Sequence, residues 1–161
     1  MADGLMYFIA DRMLVGDVNG VHFQETAVSG GRAGRKDPIT QKTLPPIDPS
    51  LANNVWLTDR KGIVFTKILG GPIPCGDYTV TAKPSTDGKN LRLDLVPAGF
   101  IPVISDGIRD GHFQIHGRGF WGSYGCIVLL DGAKLQLLYN AVRSSKEVKL
   151  CVVAGTIDDI A

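Results

Sequence analysis

The sequence has few cysteines, almost no charge imbalance and no long apolar run. Its 161 residues include three cysteines, Cys75, Cys126 and Cys151. An odd number without a short repeated spacing argues against a disulfide framework and against a zinc site. Lys and Arg number 17 against 16 for Asp and Glu, so charge gives no case for nucleic acid as the main partner. We therefore expect no metal ion and no nucleic acid partner.

Two further absences concern membranes and export. No apolar stretch approaches the roughly 20 residues that cross a bilayer, so we predict no membrane span. The first ten residues lack a basic segment and have only a short apolar stretch, which does not resemble a signal peptide. A chain with 44% apolar and 20% charged residues is typical of a folded globular protein. We predict one domain over residues 1–161.

The patterns that are present favour β-structure. Twenty glycines and nine prolines imply many turns. Residues 6–28 read as a β-meander, in which Asn19-Gly20 is a strong hairpin signal because both positions need positive φ. Residues 90–97 alternate between apolar and polar as a half-buried strand does. Asp131 is a suitable N-cap for one helix, and residues 147–154 form the last strand. The expected fold is a mainly β sandwich or barrel with one short helix near the C-terminus.

The stretch 111–130 contains the strongest chemical signal. His116 ends an apolar-alternating run, a glycine-rich aromatic loop follows, and Cys126 begins a second apolar run. Only a thiolate attacks well, and a neighbouring imidazole can take the thiol proton. The imidazole in turn needs an acceptor at its other nitrogen, and the main-chain carbonyl of Gly117 suits this role. We therefore predict Cys126 as nucleophile and His116 as base.

The residues around this pair have predicted supporting roles. Gly125 permits a tight turn that delivers the cysteine and leaves amides to stabilise an oxyanion. Ser123 can hold the turn or the histidine through its hydroxyl. Aromatic and cationic residues of the same stretch would line a substrate groove and bind a substrate carboxylate. These are Phe120 and Trp121 for the wall, and Arg109 and Arg118 for the carboxylate.

Other interpretations of these residues stay open. A single histidine or cysteine is more often structural than catalytic. His112 and His116 share one face of a strand, which also suits a pH-sensitive polar face or half a metal site, although the sequence offers no further ligands. Cys151 reads as a small buried residue and Cys75 as a spacer in a turn. A Cys75–Cys151 bridge is an alternative in an oxidising compartment.

The chain resembles a known enzyme family at several places. Residues 115–117 (Ile-His-Gly) and 123–127 (Ser-Tyr-Gly-Cys-Ile) resemble the signature of L,D-transpeptidases of the YkuD type. Residues 29–31 (Ser-Gly-Gly), 71–80 (Gly-Pro-Ile-Pro-Cys-Gly-Asp-Tyr-Thr-Val) and 113–117 resemble the small effector branch that type VI secretion delivers. Tyr124 stands where most members have a second histidine, and Val128 where many have an arginine. These departures bear on substrate contacts, and His112 is a candidate replacement for the missing histidine.

The resemblance implies a fold, a reaction and a location. It implies an L,D-transpeptidase-like domain without a cofactor, in which Cys126 forms an acyl-enzyme, His116 is its base, and Gly125 with the amides around it forms the oxyanion site. The substrate would be the diaminopimelate–D-alanine bond of peptidoglycan tetrapeptide stems. Water would give L,D-carboxypeptidase activity and a D-amino acid would give exchange. The chain would be made in the cytoplasm, secreted, and act as an antibacterial toxin in the target-cell periplasm.

Such an effector implies two kinds of protein partner, a secretion-apparatus carrier and a periplasmic immunity protein. Two other hypotheses remain from the sequence. One is a phage or housekeeping cell-wall L,D-transpeptidase. The other is a catalytically inactive peptidoglycan-binding module, since a fold does not fix a function.

Overall fold

The computed structural model describes residues 3–31, 50, 52–55, 65–66, 71–99, 103–104, 113–117 and 125–160. Within these residues the chain forms ten β-strands, one α-helix and a C-terminal 3-10 helix. Their bounds are β1 Gly4–Phe8, β2 Met13–Val18, β3 Val21–Ser29, β4 Phe65–Thr66, β5 Gly76–Ala82, β6 Arg92–Pro97, β7 Val103–Ile104, β8 Phe113–His116, β9 Ile127–Leu129, α1 Gly132–Arg143, β10 Val148–Val153 and the 3-10 helix Ile157–Ile160. The predicted mainly β chain with one short helix near its C-terminus is confirmed.

Eight of these strands close into a barrel. Their order around the ring is β1-β10-β5-β6-β8-β9-β3-β2, and β4 pairs separately with β7. Two neighbouring pairs in the ring are parallel, β1 with β10 and β8 with β9, and the others are antiparallel. Of the two predicted architectures, sandwich or barrel, the described residues form the barrel.

The N-terminal meander follows the predicted turn chemistry. β2 and β3 pair in register from Met13↔Thr26 to Val18↔Val21, and the turn residues Asn19 and Gly20 have φ of 49° and 77°. Both values lie in the left-handed region that a tight hairpin requires. β1 begins at Gly4 rather than at Tyr7, where the predicted run starts. The extension comes from its parallel partner, because Gly4 pairs with Lys149 of β10.

Helix α1 begins where the predicted N-cap lies. The Asp131 carboxylate accepts hydrogen bonds from the amides of Ala133 at 3.0 Å and Lys134 at 3.3 Å, which satisfies two of the amides exposed at a helix start. The helix contacts β2, β3, β5 and β9. Because these strands lie on different sides of the ring, α1 covers one end of the barrel.

The barrel interior is filled by apolar side chains from every strand of the ring. Fully buried examples are Tyr7, Leu14, Phe23, Ala27, Tyr78, Leu93, Leu95, Phe113, Ile115, Ile127, Leu129, Leu150 and Val152. Helix α1 adds Leu135, Leu138, Tyr139, Ala141 and Val142. In the described part of the chain, no helix has the length and hydropathy that a bilayer crossing requires.

Candidate active site

His116 is the last residue of β8, and Cys126 directly precedes β9, the parallel neighbour of β8. The register pairs Ile115 with Ile127 and His116 with Val128. Ile115 and Ile127 are both 0% exposed and belong to the barrel core. Since side chains alternate along a strand, His116 and Val128 point to the outer face. Cys126 lies two residues before Val128, where the Gly125 turn leads into β9.

The register places the backbone of the two residues near each other along the barrel wall. Neighbouring strands lie about 4.8 Å apart and residues advance about 3.3 Å along a strand, so an extended chain from Val128 back to Cys126 puts the Cα atoms of His116 and Cys126 roughly 8 Å apart. Cys126 is 6% exposed and is a free thiol, as are Cys75 and Cys151. The alternative Cys75–Cys151 bridge is not formed, and the roles of Cys126 and His116 stay predictions.

The hydrogen bond of the His116 ring fixes which nitrogen is basic. The Nδ1 atom lies 2.9 Å from the carbonyl oxygen of Gly117. A carbonyl oxygen only accepts, so Nδ1 carries the hydrogen and donates it. In the neutral ring Nε2 is then the nitrogen that can take a proton. This is the carbonyl that the sequence analysis names as the partner of the imidazole.

Gly125 shapes the turn that leads into Cys126, and only glycine fits there. Its φ is +115°, a conformation that L-residues with a side chain rarely adopt. A Cβ at this position would also lie 2.7 Å from Cε1 of Phe113. Phe113 is itself held edge-on against Tyr78, with ring centroids 6.2 Å apart. Packing of the core aromatics thus sets where the residue before the thiol lies.

Ser29 joins the turn to two other segments. Its side chain is 0% exposed. The Oγ hydroxyl donates to the carbonyl of Gly125 at 3.2 Å and accepts from the amide of Ile73 at 2.8 Å. Residues 29–31, 71–74 and 125–127 are segments that carry the family resemblance, and they meet at this one hydroxyl.

Asn53 supports Ser29 from the other side. The side-chain Oδ1 of Asn53 accepts from the backbone amide of Ser29 at 3.1 Å, and the backbone amide of Asn53 donates to the Ser29 carbonyl at 2.9 Å. Its Nδ2 donates to the Tyr7 hydroxyl and to the Ile9 carbonyl, both at 2.7 Å. The Tyr7 hydroxyl donates in turn to the carbonyl of Ala27 at 2.9 Å. This network was not predicted from the sequence. The one sequence feature that points to it is a serine at the end of an apolar strand.

A polar chain runs across the outer face of β6 and β8. Nη1 of Arg92 donates to Oε1 of Gln114 at 2.9 Å, and Nε2 of Gln114 donates to Oδ1 of Asp94 at 2.7 Å. The register places Arg92 beside His116 and Asp94 beside Gln114. Arg92, His116 and Val128 therefore form one row across β6, β8 and β9.

His116 opens onto a groove of about 600 Å³. Its described lining includes two cations, Lys89 and Arg92, and no acidic side chain. The lining residues are Gly88, Lys89, Asn90, Leu91, Arg92, His116, Gly117, Leu129, Leu130, Gly132, Leu135 and Gln136. Neither cation was predicted as a site residue, because outward charges on or beside an alternating strand ordinarily form a solvated face.

Several predicted site residues lie outside the described part of the chain. They are the candidate substrate contacts Arg109, His112, Arg118 and Trp121, and the supporting residues Ser123 and Tyr124. Their roles stay predictions. Among the described residues, no three His, Cys, Asp or Glu side chains cluster as a metal site does.

Comparison with known proteins adds no relative. No family model, no curated protein and no solved structure matches this chain.

Proposed function

We propose that this chain is a cysteine enzyme of the L,D-transpeptidase type that acts on peptidoglycan stem peptides. The observation that supports this most directly is the placement of His116 at the end of β8 and of Cys126 immediately before β9, the parallel neighbour of β8. The bond from Nδ1 of His116 to the Gly117 carbonyl leaves Nε2 as the basic nitrogen. A thiol with such a neighbour is the arrangement of an activated nucleophile.

The acylation step follows from these atoms. Nε2 of His116 takes the proton from Sγ of Cys126, and the thiolate attacks the carbonyl carbon at the L-centre of diaminopimelate. Negative charge then develops on the carbonyl oxygen, beside the amides of the Gly125–Cys126 turn. The imidazolium gives its proton to the nitrogen of D-alanine as the C–N bond breaks. A thioester on Cys126 and free D-alanine are the products.

The fate of the thioester defines the overall reaction. Water attacking the thioester carbonyl yields a tripeptide stem, which is L,D-carboxypeptidase activity. A D-amino acid attacking through its amine yields exchange, and an amine of another stem yields a cross-link. In each case His116 takes a proton from the attacking group and returns one to the sulfur.

The biological role in this proposal is that of an antibacterial effector. Removing or replacing D-alanine on tetrapeptide stems deprives cross-linking of its donors. Two segments that resemble the type VI effector branch, residues 29–31 and 71–80, meet the Gly125 turn of the YkuD-type signature at the buried Ser29 hydroxyl, which supports that branch over an accidental match of one motif. A secretion-apparatus carrier and a periplasmic immunity protein belong to the same proposal.

The test incubates purified protein with tetrapeptide muropeptides and follows D-alanine by mass spectrometry, with and without an added labelled D-amino acid. We expect loss or exchange of D-alanine by the wild type and none by Cys126→Ala. Cys151→Ser is the matched control, because Cys151 lies on β10, four places from β9 around the ring. Full activity in Cys126→Ala, or no reaction with any stem, would contradict the proposal.

A second test addresses the role in cells. The chain is expressed with and without an export signal, and lysis or swelling is followed by microscopy. Toxicity confined to the exported form agrees with a periplasmic target. Equal toxicity of the exported Cys126→Ala variant would instead indicate a non-enzymatic, wall-binding module.

A further inference from the structure

The groove beside His116 has the composition of an anion site. Lys89 and Arg92 both line it, and no acidic side chain of the described residues does. Its volume of about 600 Å³ is within the range of ordinary ligand sites, about 300–1,000 Å³. We propose that this groove is a carboxylate-binding subsite for the donor stem, in which Lys89 and Arg92 bind a carboxylate on the acyl side of the scissile bond. This inference rests on the proposed function.

The Arg92 guanidinium is oriented rather than loosely extended. One of its five N–H donors binds Oε1 of Gln114, and Gln114 is held in turn by Asp94. A planar guanidinium fixed at one edge presents its remaining edge for a two-pronged contact with a carboxylate. Asp94 is two residues further along β6 and does not line the groove.

Lys89 is presented by a loop that is held from within. The Asp87 carboxylate accepts from the amides of Lys89 at 2.9 Å and Asn90 at 3.2 Å, and from the side-chain amide of Asn90 at 3.1 Å. The Ser85 hydroxyl accepts from the Gly88 amide at 3.0 Å. These contacts keep the pKa of Asp87 below its ordinary value, chiefly through the Lys89 amide. The Asp87 carboxylate is therefore bound within its own loop, and the neighbouring Lys89 lines the groove.

The position of the groove suits a stem peptide. Arg92 is in register with His116, so their Cα atoms are about one strand spacing, some 5 Å, apart. Cys126 lies beyond His116 on the neighbouring strand. A carboxylate bound at Arg92 is thus about two to three residues of extended chain from the sulfur. Both the D-glutamyl carboxylate and the D-centre carboxylate of diaminopimelate lie at that range from the scissile carbonyl.

The experiment measures steady-state hydrolysis or exchange of a tetrapeptide stem by wild type, Lys89→Gln/Arg92→Gln and Lys146→Gln. Lys146 is the matched control, since it is exposed and does not line the groove. We expect the double variant to raise KM about tenfold or more, the size of a lost charged hydrogen bond, with kcat within about twofold. The control should leave both constants unchanged.

Amidated stems identify which carboxylate is bound. Two further substrates carry an amide either at the D-glutamyl carboxylate or at the D-centre of diaminopimelate. The wild type should lose about tenfold in kcat/KM on one of them, and the double variant should lose nothing further on that one. An unchanged KM in the double variant, or a fall in kcat alone, overturns the subsite.

Failure of the subsite and failure of the proposed function give different results. If the wild type turns over no stem, the unreacted tetrapeptide is titrated into wild type, double variant and control by calorimetry. Binding that only the double variant loses supports the groove while the proposed chemistry fails. No binding by an inert wild type overturns both.

Discussion

Two cysteines on opposite walls of one barrel have opposite surroundings. Cys126 precedes β9 and Cys151 lies within β10, and these strands are four places apart in a ring of eight. Burial, then a hydrogen bond and the negative charge of Asp77, raise the pKa of Cys151 to about 11. Asp77 is directly opposite Cys151 in the ladder. Cys126 instead precedes the strand that pairs with β8, where Nδ1 of His116 is held by the Gly117 carbonyl.

In the proposed function, this difference separates the nucleophilic cysteine from a structural one. Both thiols belong to strand segments of similar apolar sequence, so local composition does not separate them. What separates them is the group across the neighbouring strand, a carboxylate beside Cys151 and a histidine near Cys126. The carboxylate of Asp77 favours the protonated form of the Cys151 thiol, whereas in the proposed mechanism His116 takes the proton of the Cys126 thiol.

Replacing each of the two cysteines with serine in turn should reveal the largest difference between the two walls. Cys126→Ser should lower D-alanine release by about 10³-fold or more, because a serine hydroxyl beside the same base is a far weaker nucleophile here. Cys151→Ser should keep wild-type turnover. D-alanine release measured by mass spectrometry decides this, with circular dichroism to show that both variants fold. Equal losses in both variants would contradict the assignment of roles.

Removing the imidazole of His116 should make the reactivity of Cys126 more like that of Cys151. His116→Gln should lower kcat by about 10²- to 10⁴-fold, the usual contribution of a general base. Alkylation of Cys126 by iodoacetamide at neutral pH should slow in parallel, as read by peptide mass mapping. His22→Gln is the control, since His22 is exposed and pairs with Asp17 at 2.9 Å on β2. An unchanged alkylation rate in His116→Gln would argue against an activated thiol.

The turn before Cys126 has no counterpart at Cys151. Adding a methyl group at Gly125 tests how tightly this turn is constrained. Gly125→Ala should lower the free energy of unfolding by about 3 kcal/mol, through unfavourable φ and overlap with Phe113. Gly99→Ala shares a positive φ of 79° but meets no atom within 4 Å, so it isolates the backbone part at about 1 kcal/mol. Urea unfolding of both variants measures the difference. Equal destabilisation would show that Phe113 does not constrain the turn.

Local patterns in the sequence were sufficient for the elements that depend on neighbours in the chain. Asn19-Gly20 and the Asp131 cap act within a few residues, and both were predicted. The Gly117 carbonyl was also predictable, because it is the residue next to His116. Non-local pairing was not predictable in the same way. No sequence pattern near Gly4 indicates that pairing with β10 extends β1 to this residue.

The groove and the serine network illustrate the same limit within the site. Arg92 looks like any outward charge on an alternating strand until β8 places His116 beside it. Ser29 looks like a strand end until residues 71–74 and the Gly125 turn converge on it. Each role exists only after the barrel closes, because its partners are tens of residues away in sequence.

The smallest expected effect is an alkaline loss of stability from the Cys151 wall. The ordinary pKa of this thiol is 9.0 and the folded value is about 11. Between these values the unfolded chain releases the proton and the folded chain keeps it, so ionisation favours unfolding. The contribution is fully present below pH 9 and is lost as pH rises through 11. Cys151→Ser should therefore flatten part of the decline in urea midpoint from pH 8.5 to 11. Val153→Ala, on the same face of β10, should lower the midpoint equally at every pH. A Cys151→Ser curve parallel to the wild-type curve would show that the two walls do not differ in how they hold their thiols.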